Sequence, residues 1–142
     1  MQHLSKAGER AWIALLRVAP HLMETIEAEL KTKGFPPLAW YDVLWELERA
    51  EAPVRQRDLV TRLLVARYNL SRLLDRLEAD GLITREPCED DARGHALNLT
   101  RAGKALRQKM WPVYSAAIAE AVDAKLSAAE AETLAKLLDK LR

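Results

Sequence analysis

Residues 58–85 read DLVTRLLVARYNLSRLLDRLEADGLITR. In this segment, two stretches with helical spacing of apolar residues are followed by a stretch with the pattern of an extended strand. Leu59, Val60 and Leu63 predict the buried side of a short helix over residues 55–63. A second helix is predicted over residues 66–80. It ends at Gly81, because glycine adopts the left-handed conformation of a helix terminus at little cost. A short extended stretch then runs to residue 85.

The sequence after this segment predicts a β-hairpin followed by two helices. The polar run CEDDARG at 88–94 is typical of a turn, and HALNL at 95–99 alternates between apolar and polar residues as a half-exposed strand does. Thr100 is a suitable cap for a helix that reaches residue 122. A capping box, Ser127 to Glu130, begins the last helix. Its predicted buried residues are Leu134, Leu137, Leu138 and Leu141.

Two helices are predicted before the segment. Apolar residues recur every three or four positions from Trp12 to Leu30, with Pro20 predicting a kink or a break. The next helix, over residues 38–47, is expected to bury Leu38, Tyr41, Val43, Leu44 and Leu47. The predicted fold is therefore mostly α with a small β-hairpin. Four helices, a hairpin and two more helices form a winged helix-turn-helix with additional helices at both ends.

Composition is typical of one folded domain. The chain has 142 residues, 49% hydrophobic and 30% charged, without a run of the roughly 20 apolar residues that span a membrane. No signal-peptide pattern is present, so a cytoplasmic location without membrane contact is expected. The net charge of +1 does not indicate nucleic-acid binding. Between residues 55 and 76, however, there are six arginines and only two acidic residues. A phosphate backbone would interact with this local surplus of positive charge.

The helix at 66–80 has the pattern of a DNA-reading helix. Leucines at 70, 73, 74 and 77 line one side, and polar residues line the other. Arginine bonds guanine and asparagine bonds adenine through paired contacts in the major groove. An ordinary solvated face is the alternative for any single residue. The predicted base-proximal residues are Tyr68, Asn69, Ser71 and Arg72, and the predicted phosphate contacts are Arg55, Arg57, Arg62, Arg67 and Arg76.

The turn of the hairpin contains Arg93 among acidic residues. An arginine at this position is suited to the minor groove, and Asp91 is predicted to orient it by an ion pair. A solvated turn is the alternative.

Several segments together resemble the MarR family of bacterial regulators. They are residues 58–85, Asp91 and Arg93, LTRAG at 99–103, LSAAEAETLAKLLDKL at 126–141, and LAWYDVLWELE at 38–48. The resemblance implies a homodimer joined by helices within residues 1–34 and 104–142, with a DNA-binding lobe at 38–103. It further implies a repressor on near-palindromic double-stranded DNA that a small ligand or an oxidant releases.

The sequence departs from that family in three respects. Leu64 and Ala66 stand where members often have glycine and a capping serine or threonine, so the turn is expected to lack its usual side-chain cap. Ala92 replaces the first of two wing arginines. The single cysteine, Cys88, lies among carboxylates that disfavour the thiolate rather than near the N-terminus, so redox control is not expected.

Other functions have weaker support. Scattered glycines and the distant His3, His21 and His95 suggest neither an enzyme nor a metal or cofactor site. An effector pocket between the terminal helices and the lobe has the candidates Trp12, His21, Trp40, Tyr41 and Trp45, with core or interface packing as the alternative for each. The rival function is a winged helix that binds protein instead of DNA. Added salt should weaken a protein interface less than it weakens DNA binding.

Overall fold

The fold is described from a computed structural model covering residues 2–66, 69–88 and 91–142, excluding the side chains of 91–93. Six α-helices, three strands and one π-helix follow one another in these ranges. They are α1 Lys6–Thr32, α2 Leu38–Arg49, β1 Val54–Arg55, α3 Gln56–Arg62, α4 Leu70–Ala79, β2 Ile83–Cys88, β3 Asp91–Leu99, α5 Arg101–Ile118, the π-helix Ala119–Asp123, and α6 Ala128–Asp139. The predicted mostly helical winged fold is confirmed. None of the helices described could cross a membrane.

The sheet is antiparallel, in the order β1-β3-β2. Strands β2 and β3 form the predicted hairpin, with Ile83 opposite Leu99, and the register shifts near Cys88. The sequence predicted two strands, whereas β1 adds a third that pairs Val54 with Leu97. Two residues are too few to show an alternating pattern, so only the contact with β3 reveals this strand.

The core of the winged lobe is built mainly from leucines on α2, α3 and α4. All five predicted core residues of α2 are buried, and so are Leu59 and Leu63 of α3. Burial of Val60 was predicted and is wrong, because its side chain is 41% exposed. The seven-residue α3 turns one narrow face to the core, and Val60 lies a third of a turn away from Leu59.

A second apolar cluster joins α1, α2 and α5. It contains Ile26, Leu30, Tyr41 and Met110, each buried. Helix α1 runs unbroken from Lys6 to Thr32 through Pro20, so the predicted alternative of two separate helices is wrong. Only the C-terminal part of α1 reaches this cluster.

Apolar faces of the terminal helices remain exposed in the single chain. Trp12 is 61% exposed and Leu16 is 55% exposed on α1. The predicted burial of the α6 leucines is wrong for one chain, because none of the described segments covers that side of α6. Their exposed fractions are 44% for Leu134, 52% for Leu137, 39% for Leu138 and 71% for Leu141.

Gly103 is the point at which α5 packs most closely on the lobe. A Cβ atom there would lie 2.2 Å from the carbonyl oxygen of Leu82 and 2.6 Å from Cδ1 of Leu99. We expect Gly103→Ala to lower the free energy of unfolding by about 1–3 kcal/mol, because backbone must move to admit the methyl group. Urea denaturation followed by circular dichroism, at one protein concentration, measures the change.

Gly8→Ala is the control for this substitution. Its Cβ would meet Oγ of Ser5, the exposed N-cap of α1, at 3.2 Å, a contact that a shift of a few tenths of an ångström relieves without moving backbone. Alanine also favours a helix over glycine by about 1 kcal/mol, so we expect little change or a gain in stability. Equal effects of the two substitutions would contradict the close packing at Gly103.

Candidate nucleic-acid interface

Helix α4 is anchored by leucines and presents polar side chains outward. Leu74 and Leu77 are fully buried, whereas Ser71, Arg72 and Arg76 are exposed. The predicted start at residue 66 is wrong, because α4 begins at Leu70 and Ala66 is buried in the preceding turn. Asn69 stands at the N-cap with φ 55°, a left-handed conformation that asparagine tolerates better than most residues. Arg67 and Tyr68, both predicted DNA contacts, lie outside the described residues.

Arg85 fixes α4 against the wing. From β2, its Nη2 atom donates to Asp75 Oδ1 at 2.5 Å and to Glu78 Oε1 at 3.0 Å. These hydrogen bonds raise the pKa of Arg85, and the bond from Arg85 lowers the pKa of Glu78. Asp75, on the polar side of α4, is therefore engaged in orienting the helix.

An arginine-lined cleft of about 520 Å³ lies between the start of α3, helix α4 and the sheet. At its floor, Gln56 Nε2 donates to Ser71 Oγ at 3.3 Å. The cleft brings together residues from four separate parts of the chain. Its lining consists of Arg55, Gln56, Arg57, Val60, Ser71, Arg85, Gly94 and His95.

The predicted contact residues are distributed around this cleft. Arg55 and Arg57 line it, Arg72 and Arg76 are exposed on α4, and Arg62 is exposed on α3 outside the cleft. Asp91 and Arg93 belong to β3, and their side chains lie outside the description. The sequence did not single out Gln56, Arg85 or His95. Their place in the cleft depends on sheet pairing and helix packing, which no local pattern of residues records.

A buried carboxylate holds the turn before α4. Asp42 on α2 is 5% exposed, and its Oδ2 atom accepts from the backbone N–H groups of Leu64 at 2.8 Å, Val65 at 2.7 Å and Ala66 at 3.1 Å. The expected lack of a local side-chain cap is thus compensated from a different helix. An acid within the apolar run LAWYDVLWEL was the available signal.

A separate aromatic cavity of about 600 Å³ lies where α1, α2 and α5 meet the α3–α4 turn. The ring centroids of Tyr41 and Tyr114 are 5.0 Å apart, and those of Tyr41 and Trp111 are 6.0 Å apart. Burial raises the pKa of Tyr114 above its ordinary value. The lining residues are Met23, Ile26, Leu38, Tyr41, Asp42, Trp45, Leu64, Val65, Arg107, Trp111, Tyr114 and Ile118.

Two of the five pocket candidates lie in this cavity. Tyr41 and Trp45 belong to its lining, whereas Trp12, His21 and Trp40 do not. The sequence did not identify the contributions of α5, because Arg107, Trp111 and Tyr114 are distant from α2 along the chain and meet it only in the folded lobe.

The pairing of Arg85 has a measurable pH dependence. The pKa of Glu78 is lower in the folded state than its ordinary value of 4.5. The pair of Glu78 with Arg85 therefore stabilises the folded protein fully above pH 4.5. This contribution is lost as the pH falls through the lower pKa of the folded state. We expect Arg85→Ala to lower the melting temperature at pH 7, with a difference from wild type that shrinks on acidification. Thermal melts between pH 7 and pH 3 measure this difference.

Arg101→Ala removes an exposed arginine outside the cleft and serves as the control. A pH-independent difference between the Arg85 variant and wild type would contradict the ion pairs as the cause.

Known proteins share this architecture. A model of the MarR family matches residues 33–94. The uncharacterized HTH-type transcriptional regulator YkoM of Bacillus subtilis is 31% identical over 110 residues, which cover 78% of this chain and 70% of that protein. The Streptomyces coelicolor MarR-family regulator Sco3205, solved with DNA, has a TM-score of 0.85, 23% identity, and coverage of 99% of this chain and 89% of that one.

A mutant MarR of E. coli, solved in complex with operator DNA, is similar over 99% of each chain, with a TM-score of 0.80 and 26% identity. The family is one of transcriptional regulators and not of enzymes. On the match to the family model and to the Bacillus relative, this chain belongs to the MarR family of transcriptional regulators.

Proposed function

We propose that this regulator binds double-stranded DNA sequence-specifically in the cytoplasm, as a homodimeric repressor that a small ligand releases from a near-palindromic operator. One observation carries the proposal: the leucine-anchored helix α4 presents Ser71, Arg72 and Arg76 beside a cleft lined by Arg55 and Arg57. An exposed helix fits the major groove, and flanking arginines neutralise phosphates.

The contacts divide by position. Arg72 lies near the start of α4, where a recognition helix approaches base edges, and Asn69 and Ser71 accompany it there. Gln56 Nε2 donates to Ser71 Oγ, so the side-chain amide of Gln56 lies beside the start of α4 as well. We assign Tyr68 to the reading group, and Arg55, Arg57, Arg62, Arg67 and Arg76 to phosphates. Arg93, oriented by Asp91, is assigned to the minor groove.

A second copy of the chain is the proposed cover of the exposed apolar faces. Large apolar side chains stay in water in the single chain: Trp12 and Leu16 on α1, Leu137 on α6, and Leu141 just after α6. Apolar patches of this kind mark association surfaces, because their burial is favourable in proportion to area. In this arrangement residues 1–34 and 104–142 join the subunits, and residues 38–103 form each DNA-binding lobe.

The aromatic cavity is the proposed effector site. Its volume lies in the range of small-molecule sites, and it is mostly apolar with few polar groups. Leu64 and Val65 of the α3–α4 turn line it, so an occupant would contact the segment that leads into α4. A ligand that prefers one spacing of the two recognition helices would shift the population between DNA-binding and released states.

Fluorescence anisotropy against the DNA that flanks the gene, with a scrambled duplex for comparison, tests the function. We expect selective binding that weakens steeply as salt increases, because arginines displace counterions from the phosphates. Binding to no duplex even at low salt would instead favour the alternative of a protein-binding winged helix.

Arg72→Ala tests the placement of α4. We expect a loss of about 1–3 kcal/mol in DNA-binding free energy and relaxed preference at one base pair. Arg142→Ala is the matched control, because it removes the same charge from an exposed position on the far terminal segment. Unchanged affinity and base preference for the Arg72 variant would contradict the proposed reading face.

Leu137→Glu tests the dimer. We expect wild-type protein to have twice the 16.1 kDa chain mass by light scattering, and the variant to shift towards one chain mass because a charge replaces an apolar side chain. Lys136→Glu, at an adjacent exposed position of α6, should leave the mass unchanged. A monomeric wild type that still binds DNA tightly would argue against the dimer.

A further inference from the structure

Among the residues that the structure describes, the lining of the aromatic cavity has one positively charged side chain, Arg107, and that side chain is already paired. Arg107 Nε donates to Glu48 Oε1 at 3.0 Å, and its Nη2 lies 2.9 Å from Glu48 Oε2. The guanidinium also lies 5.2 Å from the ring centroid of Trp45. Two-point pairing with a carboxylate neutralises the cation and fixes its direction. Arg107 therefore offers little net attraction to an anionic ligand.

The negative residue of the cavity is compensated differently. Asp42 has no cationic partner among the described residues, and all three of its hydrogen bonds come from backbone N–H groups to Oδ2. Asp42 lines the cavity, and none of its hydrogen bonds within the described residues uses Oδ1, which leaves that oxygen as an acceptor for a bound molecule.

Among the described residues, the lining acid Asp42 contributes −1, and the pair of Arg107 at +1 with Glu48 at −1 contributes nothing, so these three groups sum to −1. The Tyr114 phenol adds no negative charge near neutral pH, because burial and the nearby Asp42 raise its pKa. A carboxylate entering this space would lose its hydration beside a like charge. A cation would gain from Asp42 and from the faces of the aromatic rings.

We propose that the cavity binds planar aromatic cations, with an N–H group of the ligand donating to Oδ1 of Asp42. This inference rests on the proposed effector role of the cavity and specifies the chemical class of its ligand. Amidines and protonated aromatic amines combine the flat ring that fits among Tyr41, Trp111 and Tyr114 with the donor that Asp42 requires.

The same carboxylate connects the cavity to DNA binding. A ligand bonded to Oδ1 withdraws charge from Oδ2, which holds the amides of residues 64–66 immediately before the segment leading into α4. Weaker bonds to those amides release the turn and with it the start of the reading helix. Ligand binding and DNA binding then oppose each other reciprocally, as linkage requires.

Benzamidine and benzoate are the probes, because they share one ring and nearly one shape but carry opposite charges. Titration calorimetry with the full-length protein measures their affinities. Quenching of tryptophan fluorescence gives a second readout, since Trp45 and Trp111 line the cavity. We expect benzamidine to bind at least about tenfold more tightly than benzoate, which corresponds to about 1.4 kcal/mol.

Two variants locate the charge that makes the distinction. Asp42→Asn keeps the shape and an oxygen acceptor but removes the charge, and should cut the preference for benzamidine by about tenfold. Glu48→Gln leaves Arg107 without its anionic partner and should improve benzoate binding. The second variant does not disturb the turn, so it remains informative if the first unfolds.

Equal or tighter binding of benzoate, no binding of benzamidine, or an unchanged preference in Glu48→Gln would overturn the proposal. DNA anisotropy on the same preparation separates this failure from failure of the regulator function. Protein that binds DNA but not benzamidine refutes the ligand class alone. Reduced DNA affinity in the presence of benzamidine, and not of benzoate, would support the coupling through Asp42.

Discussion

The three hydrogen bonds accepted by Asp42 hold the turn that leads into α4, and the position of that helix depends on them. Three backbone amides that point at one oxygen define the path of the chain from Leu64 to Ala66. Such bonds to a charged acceptor are among the stronger ones in a folded protein. A residue on α2, in the middle of the lobe, thereby determines where the proposed DNA-reading surface begins.

Arg85 fixes the other half of the same helix. Its bonds to Asp75 and Glu78 connect α4 with β2, one strand of the wing. The leucines below α4 determine how deeply the helix packs into the lobe. They do not determine its rotation about its axis or its position along that axis, because apolar contact is non-directional. Directional bonds from both sides remove this freedom. The lobe therefore combines a leucine core with a small number of ionic restraints placed where orientation matters.

Features that depend on neighbouring residues were predictable from the sequence, and features that depend on distant contacts were not. The spacing of the α4 leucines and the Ser127 capping box are local, and both appear in the structure as expected. Strand β1 has two residues and exists only through its pairing with β3. The cap from Asp42 joins positions more than twenty residues apart. The exposed leucines of α6 show a further limit of prediction from sequence. An apolar stripe predicts that its side chains are buried, but not whether the same chain or another molecule covers them.

The close approach at Gly103 has a mechanical consequence. Because the first turn of α5 lies directly against the backbone at Leu82, no side chain separates this end of α5 from the lobe. We expect bending between the lobe and the C-terminal helices to occur further along the chain, in the rest of α5 and in the π-helix. Pro112 removes one helical hydrogen bond there, and the π-helix Ala119–Asp123 interrupts the regular winding. Both irregular points adjoin residues that line the aromatic cavity, because Pro112 follows Trp111 and the π-helix begins directly after Ile118.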